Sequence, residues 1–75
     1  MHCFTIEQHK VIKSRKILNF LVLLYRESET MWILIKFENI NIIDSKCYFF
    51  GNVKKASRIT ERTARNDYTK MIKEL

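Results

Sequence analysis

Proline is absent from this 75-residue chain and glycine occurs once, at Gly51. With so little of the usual punctuation, few sharp turns are expected. Cysteine occurs twice, as Cys3 and Cys47, far apart and without paired spacing, which excludes a disulfide framework or a four-cysteine zinc site. Four zinc ligands could be assembled only if His2, Cys3 and His9 folded back onto Cys47. Two reduced thiols in a cytoplasmic protein are the expectation, with no metal and no cofactor. The longest nearly continuous apolar run, Ile17-Leu-Asn-Phe-Leu-Val-Leu-Leu-Tyr25, has nine residues. A bilayer needs about 20, so a membrane span is excluded on length. Residues 1–9 read as a short polar lead without the apolar core and cleavage site of a signal peptide. No nucleophile elbow, phosphate loop, paired acids or His–carboxylate pattern is present, and the chain is expected not to be an enzyme.

Against those absences stand apolar content and positive charge. The apolar fraction of 47% is enough for a core in one small domain spanning residues 1–75, so wholesale disorder is excluded. Net charge is +6, and residues 54–75 alone carry seven Lys/Arg (54, 55, 58, 62, 65, 70, 73) against three acids (61, 67, 74). A basic C-terminal third suits a polyanion, with a merely solvated basic face as the bland alternative.

The last part of the chain has clear helical periodicity. With Ala64 at zero on a helical wheel, Tyr68, Met71, Ile72 and Leu75 all fall within about 80° of it. Arg62, Asn66, Thr69 and Lys73 fall at about 140–200°, on the far side. Thr60 is read as the N-cap and Glu61 as the first helical residue, suited to the positive end of the helix dipole. The spacing therefore predicts a helix over 60–75, pressed onto a core by one face and offering Arg, Asn, Thr and Lys on the other.

Ser57-Arg-Ile-Thr-Glu-Arg-Thr-Ala-Arg-Asn-Asp-Tyr68 resembles the turn and recognition helix of bacterial winged helix-turn-helix domains. The versions in view are the DeoR-type regulators and the small winged-helix domain at the C-terminus of Fic-family proteins. Thr60, Glu61, Arg62, Thr63, Ala64, Arg65 and Asp67 match the family run in place, while Asn66 replaces an Arg and Tyr68 a Leu. Tyr48-Phe-Phe-Gly-Asn-Val-Lys-Lys-Ala56 would be the first helix of the pair, making residues 47–75 the helix-turn-helix-like unit. No wing strands follow that helix. The resemblance implies a transcriptional regulator whose helix 60–75 enters the major groove of duplex DNA. Arg62, Arg65 and Asn66 would reach base edges or nearby phosphates, and Thr60, Thr63, Lys54, Lys55, Lys70 and Lys73 would contact phosphates. The alternative it leaves open is a non-catalytic accessory or remnant domain of a Fic-like protein, acting in protein–protein interaction.

Upstream, a helix is expected over about Glu7–Glu27, with Val11, Leu18, Leu21, Val22 and Tyr25 on one side. Its apolar stretch 17–25 would serve a homodimer or a larger protein partner. Residues 28–46 are rich in strand formers and read as a β-hairpin turning near Glu38–Asn41, or as an insertion. The overall expectation is a mainly α fold: a small helical domain ending in a helix-turn-helix, with a short β-hairpin in its middle.

Overall fold

The computed structural model describes residues 10–51 and 54–75, and of the side chains at 54–56 nothing is stated. It shows four strands followed by one helix: β1 (Val11–Ile17), β2 (Phe20–Ser28), β3 (Met31–Glu38), β4 (Asn41–Phe49) and α1 (Lys54–Lys73). The strands form one antiparallel meander in the order β1-β2-β3-β4. The mainly α expectation is therefore wrong, and so is the helix expected over Glu7–Glu27: residues 7–9 lie outside the described residues, and β1 and β2 take up most of the rest of that span.

The reason lies in the burial of β2. Val22, Leu23, Leu24 and Tyr25 are all buried, with Val22 and Leu24 on one face of the sheet and Leu23 and Tyr25 on the other. A strand buried on both faces shows no alternation, and a continuous apolar run does not distinguish it from a buried helix. β3 is built the same way: Trp32 and Leu34 pair across to Arg26 and Leu24 on one face, and Ile35 pairs with Leu23 on the other. Residues 17–25 thus lie mostly in an interior strand, hydrogen-bonded on both sides, and offer no helix face to a partner.

The connections carry no glycine. Each hairpin turns on two residues: Leu18–Asn19, Glu29–Thr30 and Asn39–Ile40. At the middle turn the Thr30 amide donates to Ser28 Oγ at 3.3 Å, a side-chain substitute for a backbone turn. Two turns use a left-handed residue, Leu18 at φ 55° and Asn39 at φ 57°. Asn tolerates that conformation and Leu does not, since its Cβ crowds the following carbonyl. The hairpin in residues 28–46 is thus one of three consecutive hairpins.

α1 packs over β2, β3 and β4. Ala64 is fully buried and Tyr68 nearly so, seated among Val22, Leu24, Trp32, Leu34 and Tyr48. Ile12, Phe50, Met71, Ile72 and Leu75 close the margins of that core. Trp32 and Phe50 meet in a tilted pair, ring centroids 5.0 Å apart. The apolar stripe read from the sequence is the face that docks.

The helix-turn-helix does not form. α1 is continuous from Lys54, so Thr60 sits within it and is not its N-cap, and the expected turn at 57–59 is helical. Tyr48 and Phe49 end β4, so the expected first helix of the pair is strand at its start; Asn52 and Val53 lie outside the described residues. Ser57-Arg-Ile-Thr60 contains no glycine or proline to stop a helix, and Ser57 Oγ donates back to the Gly51 carbonyl at 2.9 Å, tying the helix start to the end of β4.

Replacing Leu18 with Asn should stabilise the protein by about 1 kcal/mol, because the left-handed turn is relieved while a side chain 85% exposed loses little packing. A urea midpoint unchanged or lowered in Leu18→Asn would contradict this account of the turn.

Candidate nucleic-acid interface

Docking by Ala64 and Tyr68 decides which residues of α1 face outward. By the helical repeat, Arg58, Arg62, Asn66, Thr69 and Lys73 lie at about 120–200° from Ala64, a stripe along the solvent side. All five are exposed. From Arg58 to Lys73 the stripe runs about 22 Å at 1.5 Å per residue. Lys70 and Lys73 also stand in the last turn, where cations complement the helix dipole.

The two flanks of α1 differ in charge. On the β1 side a groove of about 390 Å³ is lined by Lys13, Ser14, Arg15, Tyr68, Thr69 and Ile72, without a carboxylate. Lys13 Nζ lies 5.7 Å from the Tyr68 ring centre. Burial raises the Tyr68 phenol above its ordinary range, and the Arg15 charge pulls partly against that rise. On the β4 side a groove of about 250 Å³ holds Asp44, Asp67 and Glu74 together with Lys46 and Lys70. None of Lys13, Arg15, Lys16, Arg58, Arg62, Lys70 or Lys73 is in ion-pair contact with a carboxylate among the described residues. The available positive charge therefore gathers on the outer stripe and the β1 flank.

The residues singled out from sequence do not share one environment. Arg62, Asn66 and Lys73 lie together on the outer stripe, with Lys70 beside it. Arg65 and Thr63 are engaged within the fold. Arg65 Nε donates to Glu61 Oε1 at 3.1 Å, and its guanidinium sits 5.5 Å from the centre of the Trp32 ring. Thr63 Oγ1 donates to the Ile59 carbonyl at 2.9 Å, one turn back. Thr60 is half-buried on the docked side of the helix. Lys54 and Lys55 open the helix, and their side chains fall outside the described set. His2, Cys3 and His9 also fall outside it. Cys47 is exposed, and among the described residues no group of three His, Cys, Asp or Glu side chains is placed to hold a metal.

Sequence reading missed Lys13, Arg15 and Lys16 because β1 was taken as part of a helix. The signal was the polar run Lys13-Ser-Arg-Lys16 beside Val11 and Ile12, which marks an exposed edge strand.

One network holds α1 in its orientation. The Tyr48 hydroxyl donates to Asp67 Oδ2 at 2.7 Å, and Lys46 Nζ donates to the same oxygen at 3.0 Å. The Tyr48 bond, then that from Lys46, holds the Asp67 carboxyl below its ordinary pKa. The same contact helps burial raise the Tyr48 phenol well above its usual value. Compared with family models, curated proteins and solved structures, the chain matches none. Among the described residues no helix is long and apolar enough to cross a membrane.

Two outcomes test this geometry. Because the Asp67 pKa is depressed on folding, its contribution is present above the unfolded value of 3.8 and is lost as pH falls below it. Tyr48→Phe should cost about 1.5 kcal/mol at neutral pH, the scale of a hydrogen bond to a charged group, and should flatten the loss of stability below about pH 4. Thermal unfolding of both proteins from pH 3 to pH 7 reads it; parallel curves would remove Asp67 from the clamp. Arg65→Ala should change the fluorescence of Trp32 and lower stability by about 0.5–1 kcal/mol. A spectrum identical to that of the parent would mean that Arg65 does not stack on Trp32.

Proposed function

We propose that this protein binds nucleic acid, with duplex DNA lying along the outer stripe of α1 and the adjacent β1 edge. The observation that carries the reading is the segregation of charge around α1. Cations in no ion-pair contact with a carboxylate among the described residues occupy its outer face and β1 flank; Asp44, Asp67 and Glu74 collect on the β4 flank, and Glu61, which shares a groove with Arg58, Arg62 and Asn66, is bonded by Arg65. A polyanion meeting this surface replaces condensed counterions at several phosphates, which is the dominant electrostatic gain in DNA association.

The fold also supports insertion without a helix-turn-helix. A helix with its side chains is about 10–12 Å across. Lying on a sheet, it stands proud by roughly that amount, against a major-groove depth of about 8.5 Å. Arg62 and Asn66 are the residues suited to base edges, through the bidentate geometries of Arg with guanine and Asn with adenine. Arg58 and Lys73 at the ends of the stripe, and Lys13 and Arg15 at its side, are suited to phosphates. Arg65 takes no part, because it is stacked on Trp32.

Duplex affinity measured over a salt series tests this. The intact chain should show a steep negative dependence on salt, and Arg62→Ala with Lys73→Ala should reduce the slope by about 2. Lys13→Ala with Arg15→Ala should reduce it by a similar amount. Slopes equal in all three proteins, or no binding at low salt, would overturn the proposal.

A further inference from the structure

The two edges of the sheet differ. β1 carries Lys13, Arg15 and Lys16, all exposed and of one sign, a pattern that discourages pairing with another copy of itself. β4 is almost wholly exposed along nine residues, with Ile42 at 53%, Ile43 at 47% and Phe49 at 70%. It contains no proline, and its central charges are of opposite sign, Asp44 and Lys46, flanking Ser45. A long strand edge with exposed apolar side chains is a template for further pairing.

The backbone shows which groups are available. The Phe50 amide donates to the Thr30 carbonyl at 2.8 Å, and β3 pairs with β4 in the register Met31↔Phe49, Trp32↔Tyr48, Leu34↔Lys46 and Lys36↔Asp44. Hydrogen-bonded pairs alternate along an antiparallel ladder. Tyr48, Lys46 and Asp44 therefore aim their amides and carbonyls at β3, while Ser45, Cys47 and Phe49 aim theirs away from the sheet. The register shift next to Asp44 places a bulge at Ile43, which bounds this outward row on one side.

We propose that β4 pairs antiparallel with β4 of a second copy of this chain, on a two-fold axis through Ser45, joining two sheets into one of eight strands. In this register the Ser45 amide and carbonyl exchange hydrogen bonds with those of Ser45 in the second copy. Asp44 then stands directly opposite Lys46 of the second copy, twice by symmetry, in the closer, non-hydrogen-bonded kind of pair. The Lys46 ammonium already bonds Asp67 at 3.0 Å and retains further donors for a second carboxylate. Cys47 lies opposite the bulge at Ile43, where the paired row ends. Sliding the strands by two residues either way, to the next register that keeps the outward row paired, would set Asp44 against Asp44 or Lys46 against Lys46. The order Asp-Ser-Lys is self-complementary only about Ser45, which is why the occupant is a second copy and not an unrelated strand. Because the axis is normal to the sheet, both α1 helices lie on the same face of the assembly.

The test uses the full chain. Sedimentation at increasing concentration should show a monomer–dimer equilibrium. Ser45→Lys places like charges on the axis and should raise the dimer dissociation constant at least about fivefold. Ser45→Pro removes only an outward N–H, so the monomer should keep its circular dichroism while the dimer is lost. With Cys3→Ser and Cys47→Ser also present, Ser45→Cys should form a covalent dimer on mild oxidation, since Cα atoms about 5.5 Å apart in a hydrogen-bonded pair suit a disulfide. A chain retaining only Cys47 should not cross-link. A protein that stays monomeric to its solubility limit overturns the proposal. So does cross-linking through Cys47 in place of position 45, or dimerisation indifferent to Ser45→Lys and Ser45→Pro.

Discussion

The structure depends on the close approach of α1 to the sheet at Ala64. A side chain larger than a methyl there would hold the helix away from Val22, Leu24 and Leu34, and the aromatic frame of Trp32, Tyr48 and Tyr68 would not close. Burying each of the large side chains in that core is worth about 1.5–3 kcal/mol, so the helix is held by packing more than by its intrinsic propensity. The Asp67 clamp then fixes its rotation. With Ala64 down and Asp67 tied to Tyr48, Arg58, Arg62 and Lys73 can only face solvent.

One charge pattern thus serves two purposes. Asp67 and Glu61 are engaged with partners inside the fold, with Lys46 and Tyr48 and with Arg65 respectively. That leaves the outer stripe and the β1 flank with an excess of cations. Arg65 illustrates how position decides role. It is one helical step from Asn66, yet its guanidinium covers an indole and its Nε holds a carboxylate, so it belongs to the core's rim.

The C-terminal helix was legible in the sequence because one of its faces is polar and the other apolar, and that contrast survives into the fold. Its start was not, because Thr60 followed by Glu61 imitates an N-terminus, and nothing short of the docked structure shows the helix continuing upstream to Lys54. β3 and β4 were legible in outline, as a hairpin turning near Glu38–Asn41, but β1 and β2 were not, for two reasons. β2 buries side chains on both faces, which erases the period of two, and the turns at Leu18–Asn19 and Glu29–Thr30 use no glycine. Of the interface residues, Arg62, Asn66 and Lys73 followed from the helical wheel alone. Lys13 and Arg15 required the sheet, since only β1's edge position brings them beside Thr69.

The meander order has a kinetic side. Every strand pairs with its neighbour in sequence through a two-residue turn, so the sheet can grow by successive local closures that each cost little chain entropy. With no proline, no slow isomerisation stands in the way. The one demanding step is bringing α1 back across β4 and β3 to β2, and until it happens Val22, Leu24 and Leu34 face water. The lifetime of that half-covered sheet, rather than the strength of the finished core, sets how exposed this chain is to aggregation as it folds.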